Sequence, residues 1–574
     1  MRWEGLLTHW HLPPLAPEWA ERPLREQVMV RRGLHAEPIR KRYFEGQISD
    51  LGDPSTLPDI DTAVALLATA IQQKHLIFIA GDYDVDGISS AALLALFLRE
   101  RAVPHHIRLP NREEGYGLSP LIVKEAIEMQ TKLFVSVDCG TKNTQEIAQL
   151  RAAGIPTIII DHHIVPPNPA EWPPANAFVN PHRPDASGPY RELCAAGLVF
   201  KLLQAYLLTE ENGNLTPLED TIDIAGIATL ADVMPLSGEN RLLTRLALHK
   251  LQTKPILGYQ VLLQALGMQK YRLESRDIVF RIVPRLNAVG RLHKPDPALS
   301  LLLSREPQEA EAIVKQLNSY NQERQTLQEK AVREAQAMLV QKYGEDVEGW
   351  PKALVVANSA WHKGVIGLVA SKLTELYERP SAVLTQSPQA GIWVGSARSV
   401  HGIPLHQIIE ETCRPYLVKG GGHAMAAGFS VHRALQETFE ETFIAAVSQY
   451  QPEKRSAHLD GVISAKQVLE EALDAFTHEF EPAGPENPAP RYLLTAIQAT
   501  SSDGRELTIH ATEGNSIKSF EGRVTFSSYR WTESWRQVLK SAIGIVVTPF
   551  RPSDRAPIRF KVRDVIMGTP SADL

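Results

Sequence analysis

The stretch His75-Leu76-Ile77-Phe78-Ile79-Ala80-Gly81-Asp82-Tyr83-Asp84-Val85-Asp86-Gly87 sets three carboxylates on alternate residues directly after a run of apolar β-formers. Carboxylates about 4 Å apart repel by about 4 kcal/mol per pair at an effective dielectric of about 20. Such proximity ordinarily forces one of them to take up a proton. Hard divalent cations remove the conflict, because each carboxylate becomes an oxygen ligand. Two readings fit this stretch by itself: a metal site at the mouth of a buried strand, and a solvated acidic turn capping a helix that begins near Ile88.

The chain around it favours the first. A second strand-like run, Leu133 to Val137, ends at Asp138, and a third, Thr157 to Ile160, ends at Asp161-His162-His163. Helical stretches lie between them, roughly Ser89 to Arg101, Pro120 to Met129 and Thr144 to Ala153. Apolar strands alternating with helices predict a parallel sheet covered on both faces. Ligands of such sheets gather beyond the carboxyl ends of the strands, near a switch in strand order. Further on, Ile222 to Ala231 reads as a buried helix closed by Asp232. An acid at a helix C-terminus opposes the macrodipole unless a cation compensates it.

A histidine after a strand is ordinarily a hydrogen-bonded structural residue. The triplet suggests divided roles instead: one imidazole ligates metal, the next faces substrate, and Asp161 orients the ligating ring. Mixed carboxylate and imidazole ligation favours Mn²⁺, with Mg²⁺ as a working substitute.

Asp82-Tyr83-Asp84-Val85-Asp86-Gly87, Val137-Asp138-Cys139-Gly140, Asp161-His162-His163 and Ala228-Thr229-Leu230-Ala231-Asp232 resemble, in order, the four motifs of the DHH phosphoesterases. Pro284 to Leu292, Trp361 to Gly367, Gly395 to Ser399 and Gly420 to Gly428 are similar to segments of one branch, the RecJ single-strand-specific exonucleases. The last of these is the signature of the associated DHHA1 domain. The resemblance runs from about residue 25 to 450.

It implies a 5′→3′ exonuclease for single-stranded DNA in recombination and repair, hydrolysing phosphodiesters with two Mn²⁺ or Mg²⁺ ions. It implies Asp82 and Asp84 on one ion, Asp86, His162 and Asp232 on the other, and Asp138 bridging them. Asp138, Asp161 and His163 are then the catalytic set, with His163 at the scissile phosphate. Arg112, Tyr116, Arg291, Ser396 and Arg398 would hold the 5′ end of the strand, and His423 would line the same interdomain cleft. A slot of that kind admits one strand and excludes a duplex. A helicase and a single-strand-binding protein are the implied protein partners. The alternatives are a DHH phosphodiesterase for short oligonucleotides or cyclic dinucleotides, and a metal-free scaffold, which would lack the acidic ligands.

With 574 residues the chain is too long for one core and predicts three or more domains. A 44% hydrophobic and 22% charged composition is that of an ordinary soluble protein. No apolar stretch approaches the roughly 20 residues that span a bilayer, and the start Met1-Arg2-Trp3-Glu4-Gly5 lacks the apolar run of a signal peptide. A cytoplasmic monomer is expected. Cys139, Cys194 and Cys413 show no CxxC pairing, so neither a zinc site nor a disulfide framework is indicated. The net charge of −6 gives no global sign of nucleic-acid binding, although a local patch suffices.

The expected organisation is an N-terminal extension over 1–45, containing the basic clusters Arg31-Arg32 and Arg40-Lys41-Arg42, and an α/β DHH domain over 46–304. A connecting helix follows over 305–345, then a smaller α/β DHHA1 domain over 346–450 and an OB-like β-barrel over 451–574. Pro307 suits the first turn of that helix and Gly344 its end. Its apolar stripe (Ile313, Leu317, Tyr320, Leu327, Val332, Ala335, Leu339) fits a tie between two domains or a partner-binding coiled coil. In the last domain Ile558 to Arg563 alternates apolar and basic residues, which fits either an ordinary solvated strand or a strand of a five-stranded OB-type barrel with one face toward phosphates. Glu481 to Pro490 resembles the family's loop into this domain, with Ala483 and Glu486 where phenylalanine and glycine are usual.

Overall fold

The computed structural model describes all residues except 112–113, 116, 270–271, 496, 502–505, 514–515, 525–541, 552–555 and 567–574. The chain divides into two units. One comprises Ala36–Gln322 with Phe480–Ala489, and the other Met1–His35, Glu323–Glu479 and Pro490–Leu574.

The core of the first unit is a five-stranded sheet ordered His105–Arg108, Ile77–Ala80, Leu133–Val137, Thr157–Ile160, Ala177–Val179, every pairing parallel. The four strands from Ile77–Ala80 onward in that order have every residue buried. That is why each reads as a mainly apolar run rather than an alternation. On one face Ile77, Ile79, Val135 and Ile160 pack with Leu67, Leu94 and Phe200 from the helices Ile60–Gln72, Val85–Glu100 and Ala195–Glu210. On the other, Phe78, Phe134 and Ile159 pack with Ile122 and Ile147 of the helices Pro120–Glu128 and Thr144–Ala152. In chain order the sheet runs 2-1-3-4-5. Its switch point therefore falls between Ile77–Ala80 and Leu133–Val137, the strands that lead into Asp82 and Asp138.

The helix Pro307–Tyr343 is 37 residues long, on the order of 55 Å. Its Ala310, Val314 and Leu317 belong to the core of the first unit. Ala331, Ala335 and Leu339 belong to a core of the second, with Leu354, Ile366 and Leu373. The stripe thus serves two cores within one chain, as the tie reading requires.

In the second unit, five strands run in the order Leu417–Gly422, Ala426–His432, Ile392–Arg398, Ser381–Gln386, Leu354–Ala357. Only the last pairing is parallel. Among the described residues the C-terminal region forms a mixed sheet of seven strands rather than the expected five, running from Gly461–Ile463 at one end of the order to Ile497–Ser501 at the other.

Two further expectations change. The first 45 residues are not a separate extension. Arg2–Glu4 and Thr8–His11 form a three-stranded sheet with Arg455–His458, and the Asp564 carboxylate accepts from Trp10 Nε1 at 2.8 Å and Thr8 N at 3.0 Å. Arg32 grips Asp460 with two bonds, of 2.6 and 2.9 Å. The second change concerns the strand Arg559–Ile566, which does not offer a basic face to phosphates. Lys561 is buried over the Phe550 ring and Arg559 pairs with Glu521 at 2.7 Å. Apart from Arg559, which is exposed, and Arg563, which is half-buried, the residues of this strand are buried, so alternation of residue type did not mean alternation of exposure.

Candidate metal centre

The helix after the first strand starts at Val85, earlier than expected, and Asp84 is its N-cap: its carboxylate accepts from Asp86 N at 3.0 Å and Gly87 N at 3.2 Å. Capping is therefore real, but it accounts for one acid of the three. Asp82 and Asp86 are buried. Gly87 is obligatory here, because a Cβ would stand 2.6 Å from the backbone nitrogen and oxygen of Asp82. This packing folds the loop tightly enough to aim neighbouring carboxylates into one volume.

Asp138 follows its strand in the left-handed region, φ 59°, with its amide donating to Ile160 O at 3.0 Å. Asp232 is the C-cap of the buried helix Ile222–Ala231, as the sequence indicated. His162 Nε2 lies 3.4 Å from Asp138 Oδ1, 3.6 Å from Asp232 Oδ2 and 3.8 Å from Asp86 Oδ2. Three overlapping groups keep their ligand atoms within 4.8 Å of one another: Asp82, Asp84 and Asp138; Asp86, His162 and Asp232; and Asp138, His162 and His163. All six residues predicted as ligands are thus brought together, and Asp138 belongs to two of the groups.

The electrostatics match. Burial, then repulsion from Asp86, Asp84 and Asp82, pushes the Asp138 carboxyl well above the usual carboxylate range. Burial, with the charges of Asp86 and Asp84, pushes Asp232 up to about 8. Asp86 is raised by burial too, despite accepting from Ala195 N at 2.7 Å and Ala196 N at 2.9 Å at the start of the helix Ala195–Glu210. A carboxylate set that resists common ionisation, with one imidazole among it, is a donor set suited to hard divalent cations.

Asp161 behaves differently from expectation. It orients His163, not the ring of His162: His163 Nδ1 lies 2.7 Å from Asp161 Oδ1, which also accepts from His163 N at 3.2 Å. Thr141 N donates to Oδ2 at 3.0 Å. Burial alone would raise Asp161, but these partners hold it well below the usual carboxylate range. Conversely, burial opposes protonation of His163, and the Asp161 charge outweighs it and raises that imidazole.

Sequence reasoning missed several supporting residues. Asn180 is fully buried after the fifth strand and donates to His163 O at 2.9 Å and Thr141 Oγ1 at 3.1 Å. An asparagine at a strand end before Pro181 was the available signal. Asn287 Oδ1 accepts from Val85 N at 3.2 Å, and a Cβ on Gly290 would stand 2.4 Å from Tyr83 O. The segment expected to offer Arg291 to substrate therefore also braces the acidic loop. Arg291 itself is half-buried on the helix Val283–Leu292.

In the other unit, Ser396 and Arg398 share one strand, and Arg398 Nη1 donates to Ser396 Oγ at 3.1 Å and Ala397 O at 2.8 Å. The guanidinium is largely buried and burial lowers its pKa, yet no carboxylate among the described residues pairs with it. His423 is exposed at the tip of the hairpin formed by Leu417–Gly422 and Ala426–His432, and the glycines around it lie mostly in the paired strands. Arg112 and Tyr116 lie outside the described residues.

Residues 76–230 match the family model described as DHH family, N-terminal domain, and residues 351–451 match that of the DHHA1 domain. The single-stranded-DNA-specific exonuclease RecJ of Salmonella typhimurium is 33% identical over 76% of this chain and 77% of its own length. The chain belongs to the RecJ family. The Bacillus subtilis RecJ is 35% identical over 71% of this chain, which spans half the length of that relative. The crystal structure of Thermus thermophilus RecJ in complex with Mn²⁺ matches with a TM-score of 0.77 at 28% identity, over 98% of this chain and 79% of that one. The same RecJ in complex with Mg²⁺ matches with a TM-score of 0.72 at 26% identity. RecJ-type architecture therefore extends over nearly the whole chain. No helix among the described residues is long and apolar enough to cross a membrane.

Proposed function

We propose that this chain is a metal-dependent exonuclease that degrades single-stranded DNA from its 5′ end in recombination and repair. The carrying observation is the convergence of Asp82, Asp84, Asp86, Asp138, His162 and Asp232 at the switch point of the parallel sheet. Asp82 and Asp84 would hold one cation and Asp86, His162 and Asp232 the second, with Asp138 available to both. Mn²⁺ suits this mixed set, with Mg²⁺ as substitute; the Thermus relative was solved with each. A bound pair of such ions supplies an activated water and neutralises charge on the phosphoryl oxygens.

The chain's own residues do the rest. His163, fixed by Asp161 and Asn180, presents its Nε2 edge to the scissile phosphate as a hydrogen-bond donor. Arg398, buried without a carboxylate partner among the described residues, grips a terminal phosphate with the help of Ser396. Arg291, Arg112, Tyr116 and His423 complete the hold on the strand, with a helicase and a single-strand-binding protein supplying substrate in the cytoplasm.

Digestion of 5′- and 3′-labelled single strands with Mn²⁺, beside a duplex control, tests the reaction, its polarity and its strand preference together. Asp138→Asn should abolish turnover with the fold intact; near-normal Mn²⁺-dependent activity in that variant would defeat the proposal. Activity confined to oligonucleotides of a few residues would favour a short-substrate phosphodiesterase instead.

A further inference from the structure

The segment Phe480–Ala489 belongs to the first unit, although the residues on both sides of it belong to the second. It is held by an unusual density of polar contacts. Arg241, a buried cation, donates through Nη1 to Phe480 O at 3.2 Å and Pro482 O at 3.1 Å, and through Nη2 to Glu481 O at 3.3 Å. The same guanidinium lies 3.5 Å from the centre of the Tyr43 ring. Tyr43 Oη donates to Asn487 Oδ1 at 2.7 Å, and the Asn487 amide donates back to Phe480 O and Pro482 O at 3.1 and 2.7 Å. Glu481 Oε2 accepts from Ser275 N at 2.9 Å, Ser275 Oγ at 2.6 Å and Ala483 N at 3.0 Å. Finally, Leu236 N donates to Pro485 O at 2.8 Å, and a Cβ on Gly484 would stand 2.8 Å from Leu236 Cδ1.

Two of these attachments lead to the metal centre. Leu236 lies four residues beyond Asp232, just past a turn that passes through Val233 at φ 58°. A β-branched residue in the left-handed region is strained, and such a turn persists only where its surroundings over-determine it. Ser275 opens the continuous helical run Ser275–Asp277, Ile278–Ile282 and Val283–Leu292. That run carries Asn287 to Val85 and Gly290 to Tyr83. One strap therefore anchors the last acidic ligand from one side and the brace of the first acidic loop from the other.

We propose that Phe480–Ala489 is a positioning strap for the metal centre, with Glu481 and Arg241 as positioning residues that set the spacing of Asp232 against Asp82–Asp86. Ordinary packing of a loop would explain the buried contacts. It does not explain why two of the attachments fall where they bear on the acids, one just beyond Asp232 and the other at the start of the run that braces Tyr83 and Val85. The inference rests on the reading that these acids hold divalent cations.

The test is Mn²⁺ binding to the full-length protein, by calorimetry and by electron paramagnetic resonance, with circular dichroism to follow the fold. Glu481→Leu is expected to weaken Mn²⁺ binding by roughly 10-fold or more, the scale of losses seen when groups that orient metal ligands are removed. Glu481→Gln, which retains an acceptor for Ser275, should stay within about threefold of wild type. Gly484→Ala, a smaller push on Leu236, should fall between them and decides the matter if Glu481→Leu does not fold. Arg32→Met breaks the Arg32–Asp460 pair in the other unit and should leave Mn²⁺ affinity unchanged. Wild-type binding with unaltered affinity in Glu481→Leu and Gly484→Ala overturns the strap alone, as does an equal loss in Arg32→Met. No Mn²⁺ binding by wild type overturns the metal reading and the strap with it.

Discussion

His163 Nδ1 sits 2.7 Å from Asp161 Oδ1, on a carboxylate whose other oxygen is occupied by Thr141 N at 3.0 Å. The pair fixes the ring plane and makes Nδ1 a donor, so Nε2 faces outward, and the Asp161 charge favours the protonated ring in which Nε2 carries a proton as well. Asp161→Ala should therefore preserve the six ligands yet release the imidazole. Groups that orient such histidines typically matter by 10–100-fold. We expect kcat on single-stranded DNA to fall by roughly 10–100-fold with Mn²⁺ affinity nearly unchanged. An equal loss of metal binding would place Asp161 among the ligands instead.

Cation removal should destabilise the fold, because burial and mutual repulsion already penalise the charged forms of Asp138, Asp86 and Asp232. Mn²⁺ at about 100 times its Kd adds about 2.7 kcal/mol of stability to a protein that binds it only when folded. The denaturation midpoint should rise with Mn²⁺ in wild type and much less in Asp138→Asn. Protons compete for the same oxygens, so the rise should shrink as pH falls. A midpoint indifferent to Mn²⁺ across this series would contradict the arrangement.

Much of this site was legible because its chemistry is compressed into short motifs. The strands Leu133–Val137 and Thr157–Ile160 fall where the sequence placed them, since burial on both faces leaves little polar alternation to blur the runs. Other features depend on where distant chain packs. The choice of His163 over His162 by Asp161 follows from the turn beyond the strand, which Asn180 pins from a different strand end. Burial of Lys561 depends on coverage from Phe550, and the docking of Trp10 on Asp564 joins the two ends of the chain. Residue alternation and charge clusters carry no trace of such long-range contacts.

Arg398→Ala should separate substrate from metal. A hydrogen bond to a charged group contributes about 1.5–3 kcal/mol, so KM for a 5′-phosphorylated strand should rise by roughly 10–100-fold. Mn²⁺ affinity should not move, because Ser396 and Arg398 contribute no atom to the three ligand groups. Kinetics identical to wild type on 5′-phosphorylated strands would remove this residue from the phosphate site.

Asp223 gives the fold a pH dependence apart from catalysis. It is fully buried, accepts from Ile256 N at 2.9 Å, and is pushed by burial up to about 6. Its folded value exceeds its unfolded one, so its favourable contribution is complete below about pH 4 and is lost as pH rises through about 6. A shift of about two units corresponds to about 3 kcal/mol as an upper bound. Asp223→Asn keeps an acceptor for Ile256 and carries no charge. Its denaturation midpoint should match wild type near pH 4 and exceed it near pH 7.5; a variant less stable at both would show that the carboxylate is needed for packing.

Gly290 tests the brace behind the acidic loop. Its missing side chain lets the helix Val283–Leu292 lie against the Tyr83 carbonyl, which an added Cβ would approach to 2.4 Å. Backbone on both sides must then separate, and Val85 N loses its registry with Asn287 Oδ1. Tyr83 lies between two ligands, so the displacement passes directly to Asp82 and Asp84. Misplacement of reacting groups by about 1 Å can cost roughly 100-fold in rate. Gly290→Ala is therefore expected to stay folded, since its contacts lie at one end of a well-packed helix, while activity with Mn²⁺ falls by about 100-fold. Excess Mn²⁺ should restore only part of it, because saturation refills the site without returning the carboxylates to their places. Full activity in a folded Gly290→Ala protein would mean that the loop holds its shape without this helix.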